Sequence, residues 1–165
     1  MTPRLRISRA LVGTAVLAAA ILLPGSASYA QSAPFAGMAG VWSGNGTITL
    51  DSGASERIRC RATYAVSRDG NGLNQTLVCA SDSYKFDLKS DVIANNGSLS
   101  GTWSEASRNV TGSLEGRAGA GQFNVVVSAP AFTANLSMTT RGNKQTVSIT
   151  SQSQIKSASI SLSRT

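Results

Sequence analysis

From Glu56 to Tyr64 the chain alternates strictly. Ile58, Cys60, Ala62 and Tyr64 take every second position, and Arg57, Arg59, Arg61 and Thr63 fill the gaps. The pattern returns at Tyr84 to Val92, where Tyr84, Phe86, Leu88 and Val92 oppose Lys85, Asp87, Lys89 and Asp91. Successive side chains of a strand point to opposite faces, so this period sets one buried face against one wet face; a helix would need a period near 3.6. Turn-forming clusters interrupt the alternation at short intervals: Asp51-Ser52-Gly53, Asp69-Gly70-Asn71-Gly72, Asn95-Asn96-Gly97, Gly119-Ala120-Gly121 and Arg141-Gly142-Asn143. The spacing predicts an all-β, antiparallel up-and-down meander of about eight to ten strands. Read at ten, they fall near 40–50, 56–66, 73–80, 84–93, 97–105, 108–117, 121–128, 131–140, 144–151 and 156–163.

Hairpin geometry tests the reading, because a slip of one residue would turn the apolar set outward. A turn at Asp69-Gly70 sets Cys60 opposite Cys79, Ala62 opposite Leu77 and Tyr64 opposite Gln75. Opposed residues lie about 4.5–5.5 Å apart, within reach of a disulfide. A turn at Ala106-Ser107 sets Glu105 opposite Arg108, Trp103 opposite Val110 and Gly101 opposite Gly112. Further on, Phe123 faces Leu136, Val127 faces Phe132, Met138 faces Val147 and Leu136 faces Ile149. No segment after residue 30 has a helical apolar stripe to cover such a sheet. It must close into a barrel or fold into a flattened sandwich. An outer-membrane barrel would need an outward apolar band with aromatic girdles; the outward set here is Arg, Lys, Asp, Ser, Thr and Asn, which favours a soluble domain.

The amino end differs from the rest. Arg4, Arg6 and Arg9 precede an apolar run of 14 residues from Ala10 to Leu23, then Pro24-Gly25, with Ser28 and Ala30 ahead of Gln31. The run is short of the roughly 20 residues that span a bilayer, and the layout is that of a cleaved secretory signal peptide. The expected organisation is a signal peptide over 1–30, a lead-in over 31–39 and one barrel domain over 40–165, periplasmic or secreted. Without the leader, twelve basic residues face eight acidic ones, a net charge of +4 against +7 for the whole chain. That balance suits an anionic envelope surface, and no basic block interleaved with aromatics points to nucleic acid. In an exported chain the two cysteines, Cys60 and Cys79, are expected to form a disulfide.

The chemistry is narrowed by a missing residue type: the chain has no histidine. That removes Ser-His-Asp and Cys-His nucleophile systems and imidazole zinc sites. The eight carboxylates fall mostly at turns or on the wet face, and no facing pair suits glycoside hydrolysis. Neither enzyme activity, nor a metal, nor a cofactor is expected. Trp42, Tyr64, Tyr84, Phe86, Trp103, Phe123 and Phe132 all share the inward parity, together with Gly44, Gly46, Ala62, Ser90, Gly101, Gly112 and Ala134. The rings either fill a core or line a pocket, and opposed glycines at 101 and 112 would leave a gap beside Trp103 for a ring such as Trp42 or for a cavity. Glu105 and Arg108 form either a rim ion pair for a ligand's polar head or a turn-closing surface pair. Arg57, Arg59 and Arg61 make an outward basic row, partly neutralised if Asp82 lies opposite Arg57. It is either a docking surface or a solvated face. The Lys85-Asp87-Lys89-Asp91 row reads as solubility and cross-strand charge pairing.

Two motifs carry a resemblance. Gly40-Val41-Trp42 resembles the Gly-x-Trp signature of calycin barrels, and Gly97-Ser98-Leu99-Ser100-Gly101-Thr102-Trp103 resembles the strand pattern of avidin-like barrels. The calycin resemblance implies a closed barrel with Trp42 plugging its closed end; a full set of biotin-site residues is not matched. The stretches ERIRCRATY, CASDSYKF and GTWSE are similar to a group of small exported proteins of rhizobial bacteria, which implies export and a barrel. The reading carried forward is a periplasmic module that takes a small apolar or amphipathic ligand, with Tyr64, Tyr84, Phe86, Trp103, Phe123 and Phe132 as wall contacts. The alternative is a non-enzymatic envelope protein with a filled core that works through its basic outer row, Arg57, Arg59 and Arg61.

Overall fold

A computed structural model describes residues 33–165; the expected signal peptide lies outside them. Ten strands follow in order: β1 (Gly40–Leu50), β2 (Ser55–Val66), β3 (Gly72–Ala80), β4 (Lys85–Asn95), β5 (Ser98–Glu105), β6 (Val110–Gly119), β7 (Gln122–Ala129), β8 (Phe132–Arg141), β9 (Lys144–Ser151) and β10 (Ile155–Arg164). Each pairs antiparallel with its neighbours in sequence, and β1 pairs with β10 to close the barrel. The alternative of a flattened sandwich is thereby set aside. Closure leaves no unpaired sheet edge, and a bulge between Thr49 and Leu50 lets the last strand meet the first.

Alternation placed the apolar residues correctly. On β2, Ile58, Cys60, Ala62 and Tyr64 are buried, and the residues between them are exposed. Cys60 opposes Cys79 and the two are joined, with Cα atoms 4.1 Å apart. Leu136 opposes Ile149 and Met138 opposes Val147, as expected. The turn chemistry is equally direct at Asn96-Gly97, where φ values of 49° and 79° make the tight left-handed hairpin that Asn and Gly tolerate.

Two hairpins depart from the expected register, each by two residues. Trp103 opposes Gly112 instead of Val110, and Glu105 opposes Val110 instead of Arg108. The connection is four residues long, with Asn109 at φ 53°. It is held by the Glu105 carboxylate, which accepts the Ser107 and Arg108 amides at 3.1 and 2.8 Å. Gly101 therefore faces Leu114, and the space over Gly112 is taken by the indole of Trp103: a Cβ on Gly112 would lie 2.7 Å from the indole nitrogen. The second departure places Phe123 opposite Met138 and Val127 opposite Ala134, because the turn is Pro130-Ala131. Proline lacks an amide and presets the first turn torsion, so it sits in the loop and not in the ladder. A slip of two keeps parity, which is why the inward set survived.

The outward charges also rearrange. β3 ends at Ala80, so Asp82 has no place opposite Arg57, which pairs with Thr47 of β1. Ser81 ends the strand: its hydroxyl donates to Glu56 at 2.7 Å and accepts the Tyr84 amide at 2.9 Å. Lys85, Asp87, Lys89 and Asp91 face outward opposite Ala80, Val78, Thr76 and Asn74 on β3, so the row is not one of cross-strand charge pairs.

Candidate functional site at the open end of the barrel

The lead-in proves to be a stopper. Residues 34–37 form a turn that folds across one mouth, and the Phe35 amide donates to the Gly70 carbonyl at 3.2 Å. Phe35 stacks on Phe123 at 5.8 Å, and Trp42 meets Tyr64 edge-on at 6.3 Å. Trp42 is fully buried; its indole N–H donates to the Met38 carbonyl at 2.9 Å. The guanidinium of Arg164 lies 4.6 Å over the Trp42 ring and donates to the carbonyls of Ala39 and Gly37. The segment before β1 and the end of β10 are thus tied over one indole by a cation–π contact and charge-assisted hydrogen bonds.

Polar groups buried with this stopper are satisfied. The Tyr64 hydroxyl donates to Gln145 Oε1 at 2.7 Å, and Gln145 Nε2 donates to Thr140 Oγ1 at 3.0 Å. Burial pushes the Tyr64 phenol up to about 12, with the bond to Gln145 acting weakly the other way.

Among the described residues the opposite mouth carries only the loops between strands. Its loops are 51–54, 81–84, 106–109, 130–131 and 152–154. Leu77, Leu88, Val127, Phe132, Val147 and Ile149 all face inward, yet each is only part-buried. These side chains pack against the buried core cluster without being fully enclosed by it. Barrel width grows with strand number, and about eight strands already give an interior that side chains just fill or that holds one small ligand.

Around this mouth the structure gathers four of the six aromatic wall candidates. Tyr84 stacks with Phe86 at 6.4 Å, and Trp103 lies 5.7 Å from Phe132. The Trp103 N–H donates to the Ser113 carbonyl at 3.1 Å. The other two, Tyr64 and Phe123, are built into the stopper. Sequence reasoning passed over Phe35, Met38, Gln145 and Arg164. For Arg164 the signal was there: it has the same parity as Ala158, Ile160 and Leu162, so an arginine had to point inward.

At the rim, Glu105 is 6% exposed and accepts three backbone amides: Asp87 at 2.9 Å, Ser107 and Arg108. Desolvation pushes its carboxyl up, but these bonds together outweigh it and hold the group below its usual range. Arg108 lies 3.6 Å from the carboxylate and 4.9 Å over the Phe86 ring. Elsewhere the described surface has shallow outer depressions, one of about 280 Å³ bordered by Asn124, Asn135, Ser137 and Ser148, and one of about 370 Å³ beside the loop at Asp69.

No family model matches the chain, and no curated protein matches it. Solved structures do. The chain is similar to Rv2717c from M. tuberculosis, with a TM-score of 0.62 at 12% identity over 77% of this chain and 92% of that one. It is also similar to the S-type phycobiliprotein lyase CPES from Guillardia theta, with a TM-score of 0.59 at 8% identity over 79% and 90%. At these identities the likeness is one of fold, and it fits a calycin-like barrel.

Proposed function

We propose that this chain is a non-enzymatic binding module, exported to the periplasm or beyond, that takes a small apolar or amphipathic ligand through its open mouth. The observation that carries the reading is the set of inward apolar side chains left part-buried in a barrel stoppered at the other end. Concave apolar sites with a few polar groups at the edge are the usual form of small-ligand pockets. The wall contacts are Tyr84, Phe86, Trp103 and Phe132; Tyr64 and Phe123 form the floor. Export is supported by the leader pattern and the disulfide.

Titration with the neutral dye N-phenyl-1-naphthylamine tests the reading. A saturable rise in dye emission with quenching of Trp103, lost in Val127→Arg, is the expected result. A folded protein giving no saturable response overturns it. The second reading, docking through Arg57, Arg59 and Arg61, is favoured by one observation: the three are exposed and make no ion pair among the described residues. It predicts salt-sensitive binding to anionic vesicles, abolished when all three become glutamine.

A further inference from the structure

The rim carries a cation that its nearest anion does not need. The Glu105 carboxylate is already satisfied by the amides of Asp87, Ser107 and Arg108 at 2.8–3.1 Å. The Arg108 guanidinium stands 3.6 Å away, too far for a hydrogen bond of its own. Of its five donors, one reaches the Lys85 carbonyl, at 3.4 Å. The side chain is 41% exposed, and its guanidinium carbon lies 4.9 Å over the Phe86 ring. It therefore stands at the boundary between the apolar lining and water, oriented by the ring and short of acceptors.

We propose that Arg108 is a head-group site, taking the carboxylate of a single-chain amphiphile whose tail lies in the open half of the barrel. This rests on the ligand-binding reading above. A planar guanidinium with free donors matches a carboxylate fork-to-fork. The charge on Glu105 selects further: beside it, a monoanion meets one favourable cation, whereas a dianionic phosphate meets stronger repulsion. Phe86, Tyr84 and Phe132 flank the start of the tail. Roughly 20 Å of β7 separates Phe123 in the floor from Ala129 at the rim, which sets a medium-length chain as the fit.

The test is calorimetric titration of the full chain with dodecanoate and with 1-dodecanol, each below its micelle concentration, using wild type and Arg108→Gln. Wild type is expected to bind dodecanoate about tenfold tighter than the alcohol, the size of one charge-assisted hydrogen bond. Arg108→Gln is expected to bring dodecanoate down to the alcohol's affinity, with the alcohol's own affinity changed much less and the melting temperature lowered only slightly by the lost contact with Phe86, and Arg108→Lys to keep part of the preference. If both amphiphiles bind but wild type shows no preference, or the preference survives in Arg108→Gln, the head-group assignment is overturned and the binding reading stands. If neither amphiphile binds, both fall.

Discussion

The two ends of this barrel are built from the same alternating strands and reach opposite outcomes. At the closed end the inward residues Trp42, Tyr64, Phe123 and Leu162 are buried, because Phe35, Met38 and Arg164 arrive to cover them. At the open end Phe86, Leu88, Val127 and Phe132 stay part-buried, although Ile48, Ile58 and Trp103 of the same half are buried. Alternation decides which way a side chain points; whether it is filled against depends on elements outside the strands. Cover is therefore more complete at one end than at the other, and the proposed function rests on that difference.

The sharpest way to break this comparison is truncation at each end. Trp42→Ala removes a fully buried ring and leaves Arg164 without its platform. It is expected to cost about 3–5 kcal/mol, the usual range for aromatic truncation in a packed core. Phe132→Ala at the open mouth is expected to cost less, about 2 kcal/mol, because part of its ring stays in water in the folded chain. Urea unfolding of both variants checks this. Equal losses would mean that the open half is as tightly filled as the floor.

The disulfide lies toward the open end, where Cys79 opposes Phe86, yet it should matter to the whole barrel. Cys60 and Cys79 are 19 residues apart, and removing the bridge by Cys60→Ser with Cys79→Ser is expected to cost roughly 2–4 kcal/mol through the freer unfolded chain. Thermal melts of the variant and of the reduced wild type should fall together. If the bridge served only one end, the double variant would alter dye binding without lowering the melting temperature.

The fold was legible because its determinants are local. Period-two alternation, Asn96-Gly97 and the cysteine pair each act over a few residues, and together they leave little but a closed meander. Register was legible only to parity. The Ala106–Asn109 loop depends on a carboxylate that reaches three amides, one of them on another strand, and no short-range rule contains that contact. The site was half legible for the same reason. The six aromatic wall candidates shared one parity with Trp42, but parity has no information about height along the barrel. Only the placement of Phe35 in the floor separates Tyr64 and Phe123 from Tyr84, Phe86, Trp103 and Phe132. The expected lead-in, 31–39, hid the stopper formed by its described part because a single turn has no period to detect.

The smallest effects sharpen the comparison by pH. Tyr64 in the floor titrates near 12 when folded and near 10 when unfolded. The unfolded chain therefore releases the proton first, so the stability due to Tyr64 is intact below pH 10 and is lost as pH rises toward 12, by at most about 2–3 kcal/mol. Tyr64→Phe should flatten that alkaline limb, at a cost of about 1–3 kcal/mol at neutral pH for leaving Gln145 short of a partner. Glu105 at the mouth works with the opposite sign. Its folded carboxyl sits below the unfolded range, so its stabilisation is present at neutral pH and is lost as pH falls through the carboxylate range. Glu105→Gln should flatten the acid limb and leave the alkaline one unchanged. Denaturant midpoints of the two variants across pH 2.5–11.5 would show whether floor and mouth are separate in their energetics: if either variant moved both limbs, the two ends would be coupled through the barrel wall.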